Sequence, residues 1–261
     1  MSAPHRPPAD ATTRFADRVD AYVRARPDYP VAVIELLRTH AGLGPGTVVA
    51  DVGAGTGILT RMLARTGATV HAVEPNGPML AALIAELDPS STVRTHRRPA
   101  EATNLSDAGI DLITAAQAFH WFDRDAARSE FRRILRPSGW VALIWNSRQT
   151  DSSPFMAGYQ QLLDRWAPDH RLVNHQNVDA SAIEEFFSPG SVRRHTADHH
   201  QVLDVDGVCD RLLSSSYAPP AGHPDHEPML ADLRTLVQRH GEGGAIRLEY
   251  RTEVYLGRFA P

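Results

Sequence analysis

The sequence predicts an α/β fold: a mixed sheet of seven strands, mostly parallel, with helices on both faces and a partial helical cap. Three observations carry that expectation. Short β-branched runs alternate with helical patterns from about residue 47 to 146, as in a parallel sheet whose crossovers are helices. A glycine-rich turn, Gly53-Ala-Gly-Thr-Gly57, joins the first such run to the first such helix. The segment from Ala245 to Tyr255 alternates apolar and polar residues, as an antiparallel strand does.

Each element follows from local chemistry. A helix is expected over 13–25, broken by Pro27 and Pro30 before a second over 31–41. Thr47-Val-Val-Ala-Asp51 is the first strand, and the helix after it, 57–66, stops at Gly67, where a left-handed cap belongs. The second strand, 69–73, ends at Glu74, and a helix covers 76–87. Strands over 92–97 and 111–116 follow, then a helix over 124–136. The turn Pro137-Ser-Gly139 feeds a fifth strand at 140–146. Beyond residue 150 the pattern loosens. Residues 154–166 read as helix, 167–180 as polar and irregular, and Gly190 onward as a sixth strand. Helices over 204–216 and 227–240, joined by a proline-rich link, precede the seventh. Two units result: 1–150, with N-terminal cap helices and the ligand-binding core, and 151–261, with cap and substrate elements and the last two strands of the same sheet.

The glycine turn sets the ligand chemistry. Glycines at 53, 55 and 57 remove the β-carbons that would keep a ligand off the backbone, and they tolerate positive φ. A dinucleotide fingerprint needs a third glycine at position 58, where this chain has Ile58. The chain has no lysine, so all 27 of its basic side chains are arginine. That excludes a P-loop lysine, a pyridoxal Schiff base and a lysine general base. Asp51, two residues before the first glycine, would repel a pyrophosphate but suits a ligand carrying an ammonium group. Glu74, about 20 residues past the turn at a strand end, is placed to accept from both ribose hydroxyls.

Asp51, the Gly-x-Gly-x-Gly turn and Glu74 together point to S-adenosylmethionine. With Glu74-Pro-Asn-Gly-Pro-Met-Leu80, Arg98-Pro-Ala-Glu101, Asp111-Leu-Ile-Thr-Ala-Ala-Gln117 and Arg133-Ile-Leu-Arg-Pro-Ser-Gly-Trp-Val141, the chain resembles the class I S-adenosylmethionine-dependent methyltransferases over roughly residues 20 to 150. Ala118-Phe-His-Trp-Phe-Asp123 is similar to the small-molecule branch that includes the trans-aconitate methyltransferase-like enzymes. The resemblance implies a Rossmann-like core in which Asp51, Gly53, Ala54 and Gly55 hold the methionine part. Glu74 would meet the ribose and Glu101 the adenine, with Pro75 and Ala100 also against the cofactor; Met79 is either against the adenine or ribose or ordinary helix core. It places Gln117, Ala118, Phe119, His120 and Trp121 in the loop facing the transferable methyl. His120 is either a proton acceptor or a packing residue there. Tyr22 and Arg26 lie in the segment that closes over the cofactor in such enzymes, where Arg26 either meets the cofactor carboxylate or an anionic substrate, or is a solvated helix-end cation with Tyr22 as packing.

Composition and absences bound the rest. A net charge of −4 and a pI near 6.3 give no electrostatic reason to bind nucleic acid. One cysteine, no apolar leader pattern and no run of membrane-spanning length lead to the expectation of a soluble cytoplasmic enzyme. Gln117 stands where metal-dependent catechol-type enzymes use aspartate, and His195, His199, His200, His223 and His226 lack a zinc-ligand pattern, so no metal is expected. The Asn/Asp-Pro-Pro-Tyr/Phe motif of nucleobase amino-methylation is missing. The expected reaction is methyl transfer to a small molecule, favoured at a carboxylate or hydroxyl oxygen. Carbon or nitrogen methylation in natural-product tailoring, cyclisation driven by the cofactor's charge, and non-catalytic cofactor binding are the alternatives. Oligomeric state is not readable.

Overall fold

The computed structural model describes residues 25–171 and 179–260. All but the last residue of the helix expected over 13–25 lies outside them, as does Tyr22. The chain enters through Ala25–Pro30 into α1 (Val31–Ala41), which coincides with the expected span. Strand and helix then alternate through β1 (Val48–Val52), α2 (Ile58–Ala64), β2 (Thr69–Val73), α3 (Gly77–Ala85), β3 (Val93–His96), β4 (Ile110–Ala116), α4 (Arg124–Ile134) and β5 (Leu135–Arg148). A single 3-10 turn, Phe119–Trp121, lies between β4 and α4. After β5 come α5 (Pro154–Trp166), a 3-10 turn at Pro168–Arg171, α6 (Ala180–Phe187), β6 (Ser191–Asp204), α7 (Val205–Leu213), α8 (His226–His240) and β7 (Ala245–Arg258).

The seven strands form one sheet in the order β3-β2-β1-β4-β5-β7-β6. The first five are mutually parallel, and β7 runs antiparallel between β5 and β6. Strand periodicity of two sends alternate side chains to opposite faces. Val49, Leu112, Ala142 and Ile144 meet Val33, Leu37, Leu59 and Leu63 of α1 and α2 on one face. Ala50, Ile113, Val141, Leu143 and Trp145 meet Phe131 of α4 and Phe186 and Phe187 of α6 on the other. Each leucine or phenylalanine buried in these layers contributes about 1.5–3 kcal/mol.

The two largest departures from expectation are one boundary and one helix. Helix α4 ends at Ile134 and β5 begins at once, with Leu135 opposite Ile110; pairing resumes at Trp140 opposite Leu112, so residues 136–139 loop out. Gly139 permits this, because a β-carbon there would stand 2.6 Å from Leu135 Cδ2 and 3.0 Å from the Arg136 carbonyl. Helix α6 was not expected; Asp179 caps it and Ile183, Phe186 and Phe187 bury its apolar stripe.

Strands β6 and β7 pair over 14 residues each, whereas β5 meets β7 only from Tyr250 onward. The overhanging ribbon supports a second core of Phe155, Tyr159 and Leu163 from α5, Val208 and Leu212 from α7, and Leu233 from α8, packed on Ile246, Leu248 and Tyr250. This is the helical cap. Among the described residues, no helix is long and apolar enough to cross a membrane.

Candidate cofactor site

The carboxyl ends of β1, β2 and β4 converge on one pocket. Glycines 53, 55 and 57 have φ of 74°, 57° and 80°, which L side chains rarely adopt. The turn is anchored from below: the Gly53 and Ala54 amides donate to the Val73 carbonyl at 2.8 and 3.1 Å. Gly53 is also pressed against the loop after β4, since a β-carbon there would lie 2.4 Å from Ala118 Cβ.

Asp51, at the end of β1, is almost wholly buried. Its Oδ1 accepts from the Thr114 hydroxyl at 2.8 Å and its Oδ2 from the Thr60 hydroxyl at 2.6 Å. Burial pushes its carboxyl above the usual range, and the two threonines oppose that shift. Each oxygen keeps lone-pair capacity beyond its one donor, so the carboxylate can also accept from an ammonium group. Isolated threonines carry no motif, and neither Thr60 nor Thr114 was legible in the sequence.

Glu74 is held in the same manner by backbone. Its Oε2 accepts from the Gly55 amide and its Oε1 from the Asn76 amide, both at 2.9 Å. Burial raises its pKa, and these two bonds oppose the rise. Asn76 then caps α3 by accepting from the Met79 amide at 3.1 Å. This fixes Met79 at the first turn, with its side chain buried.

These groups border two cavities. One, of about 250 Å³, is lined by Gly53, Gly55, Glu74, Pro75, Asn76, Met79, Pro99, Ala100, Glu101, Ala116, Gln117, Ala118, Trp121 and Phe122. The other, of about 30 Å³, reaches Asp51, Ala54 and Tyr29, and shares Gly53, Gly55 and Ala116 with the first. Asn76, Pro99 and Phe122 were not among the expected lining residues. Of these, Asn76 had a signal: an asparagine before Gly77-Pro78 is a helix cap. Glu101 Oε1 accepts from the Asp123 amide at 2.9 Å, tying the pocket's far wall to the start of α4.

Gln117 adopts φ of 56°, a left-handed conformation unusual for a non-glycine residue and common where strain serves a site. Its amide donates to the Ile144 carbonyl at 2.8 Å and its side chain to the Asn146 carbonyl at 3.2 Å, so β5 holds it there. The loop then splits its aromatic residues. Trp121 lines the pocket, whereas Phe119 is fully buried, edge-on to Phe122, Trp145 and Phe186. Phe119 was expected in the substrate pocket; its ring instead turns inward, because the 3-10 turn points successive side chains in different directions. His120 is half-buried with its ring 5.0 Å from that of Trp121. Arg26, expected at the cofactor, lines neither cavity; its Nη2 donates to the Ser214 carbonyl at the end of α7 at 2.9 Å.

Comparison with known proteins agrees with this geometry. Residues 50–143 match a family model described as a methyltransferase domain. An uncharacterised methyltransferase of Mycobacterium tuberculosis is 31% identical over 231 residues, covering 88% of each chain. A solved structure from Anaeromyxobacter dehalogenans, ascribed to a type II methyltransferase, superposes with a TM-score of 0.66 at 24% identity, covering 90% of this chain and 99% of that one. The phosphoethanolamine N-methyltransferase 2 of Haemonchus contortus, solved with S-adenosyl-L-methionine, superposes with a TM-score of 0.58 at 14% identity, covering 97% of this chain and 59% of that one. At such identities the two structures speak for the fold alone.

Proposed function

Because the chain belongs to the class I S-adenosylmethionine-dependent methyltransferases, we propose that it is a cytoplasmic enzyme transferring the methyl group to a small-molecule acceptor, at a carboxylate or hydroxyl oxygen. The observation that carries this reading is the cavity of about 250 Å³ on which Glu74, Met79, Glu101 and Trp121 all border. It is a concave, mostly apolar space with a few polar groups, the form of a small-ligand site.

The residues present fit the cofactor. The glycine turn is a cradle that a β-carbon would fill, and Asp51 beside it is a buried carboxylate suited to an ammonium. Glu74 would accept from the ribose hydroxyls, and Met79, Ala100 and Glu101 would hold the adenine. S-adenosylmethionine, when bound, supplies an electrophilic methyl group on a sulfonium. Alignment of the acceptor along the line of displacement is then the main requirement, and exclusion of water the second. Gln117, Ala118 and Trp121 wall the side from which the acceptor enters. His120, next to Trp121, takes the proton when the acceptor is a hydroxyl, and a carboxylate acceptor needs no base.

The test is a panel of carboxylic acids, phenols, amines and carbon nucleophiles incubated with protein and S-adenosylmethionine. S-adenosylhomocysteine release and product mass are the readouts. Methyl esters or ethers are expected. Turnover confined to amines, carbon acids or RNA overturns the reading.

A further inference from the structure

Among the described residues, Arg211 is the one arginine that is buried. Exposed or half-exposed Arg133, Arg136, Arg165, Arg194, Arg247 and Arg251 each pair with a carboxylate. Arg211, only 7% exposed, pairs with none among the described residues, and neither does Arg148. A guanidinium stays charged at any working pH, and burying one without a counter-anion costs several kcal/mol.

The neighbours of Arg211 are neutral hydroxyls. Its Nε donates to Tyr250 Oη at 3.1 Å and its Nη1 to Ser215 Oγ at 3.3 Å, while Nη2 has no hydrogen-bond partner among the described residues. The Tyr250 hydroxyl in turn donates a hydrogen bond to Gln201 Oε1 at 3.1 Å. The Arg148 guanidinium lies 5.1 Å from the Tyr159 ring. Arg26 reaches the same corner through its bond to the Ser214 carbonyl, beside Arg211. Tyr217 senses the combined field: burial works against its ionisation, yet Arg148, Arg211 and Arg26 hold its hydroxyl below the usual tyrosine range.

This corner adjoins the cofactor site. The Gln117 amide meets β5 at Ile144, and its side chain meets the Asn146 carbonyl. Asn146 in turn donates to the Asp28 carbonyl at 2.9 Å, two residues from Arg26. Arg148 follows on the same face of β5, about 13 Å along the strand from Ile144. That is the reach of a small organic molecule.

We propose, building on the reading of the protein as a small-molecule methyltransferase, that Arg148, Arg211 and Arg26, with the hydroxyls of Tyr159, Tyr217 and Tyr250, form a subsite for an anionic group of the acceptor. That group is a carboxylate or phosphate, at the end remote from the atom methylated. An oxyanion there takes the open donors of a buried guanidinium and supplies the missing counter-charge. The subsite would select charged acceptors and set which of their ends faces the methyl group.

Calorimetric titration of the S-adenosylhomocysteine-loaded protein with inorganic phosphate, glutarate and uncharged glutaramide tests this. Saturable binding of phosphate or glutarate, without glutaramide binding, is expected, and the stronger of the two names the source of the charge. Arg148→Gln is expected to weaken that binding at least tenfold and Arg148→Lys less, with S-adenosylhomocysteine affinity unchanged in both as the check on folding. Arg211→Gln is more deeply buried and serves only where it folds by the same check. Absence of anion binding to the loaded wild type, or equal binding by Arg148→Gln, overturns the subsite. Equal methylation of charged and uncharged acceptors also overturns it while leaving the small-molecule reading intact. Anion binding that depends on Arg148, in a protein that methylates no small molecule, upholds the subsite and fells that reading instead.

Discussion

The Gly55 amide donates to Glu74 Oε2 at 2.9 Å, so the carboxylate placed for the ribose also fastens the glycine turn. The two halves of the cofactor site are therefore not independent. Glu74→Ala is expected to cost binding twice, through the lost acceptor and through the loosened turn. Affinity for S-adenosylhomocysteine should fall by one to two orders of magnitude, about 1.4–3 kcal/mol. Glu74→Gln, which keeps a carbonyl oxygen for Gly55, should lose less. Equal loss in both, by calorimetric titration, would show that the turn does not depend on this bond.

Asp51 and Glu74 both have pKa values raised by burial, and the sign of their effect follows. A carboxyl whose folded value exceeds its unfolded one stabilises the ligand-free fold below the ordinary carboxylate range and loses that contribution as pH rises through the raised value. An ammonium beside Asp51 favours the ionised form. Cofactor binding should therefore release protons above the ordinary carboxylate range and tighten as pH rises through the raised values. Titrations in buffers of different ionisation enthalpy read the proton count directly. Asp51→Asn should flatten the dependence, and an unchanged pH profile in that variant would assign it elsewhere.

Gly53→Ala combines a positive φ with a β-carbon 2.4 Å from that of Ala118. The expected cost is about 1–3 kcal/mol of stability. Because the clash pushes on the loop after β4, cofactor affinity should fall with it. Urea denaturation gives the first number and titration the second. A variant as stable as wild type would mean that the Ala118 loop yields easily.

Phe119 and Trp121 sit two residues apart with opposite duties, and substitution separates them. Phe119→Ala empties a fully buried site among Phe122, Trp145 and Phe186, so it should destabilise the fold by about 3–5 kcal/mol. Trp121→Ala should leave the melting temperature nearly unchanged and weaken ligand binding instead. The reverse pattern would return Phe119 to the pocket.

What the sequence disclosed and what it hid divide along physical lines. Regular strand–helix alternation and the three glycines report backbone demands that a single residue type can reveal, so β1 to β4 and the turn were legible to within a residue or two. Helix α6 is eight residues long, too short for its stripe of Ile183, Phe186 and Phe187 to stand out from an irregular stretch. Thr60 and Thr114 matter only because β1, α2 and β4 bring them to Asp51, a relation between elements. Arg211 reads as a surface cation on an amphipathic helix. Its burial depends in part on Tyr250 of β7, 39 residues further along the chain.

The order β5-β7-β6 has a consequence for synthesis on the ribosome. The strand between β5 and β6, residues 245–258, is the last of the seven to be translated, so both neighbours emerge before the partner that joins them exists. Until then β5 and the 14-residue β6 present open edges, which invite pairing with other chains. A nascent chain halted before residue 245 should therefore be a client for chaperones, with its glycine turn already formed and its sheet incomplete.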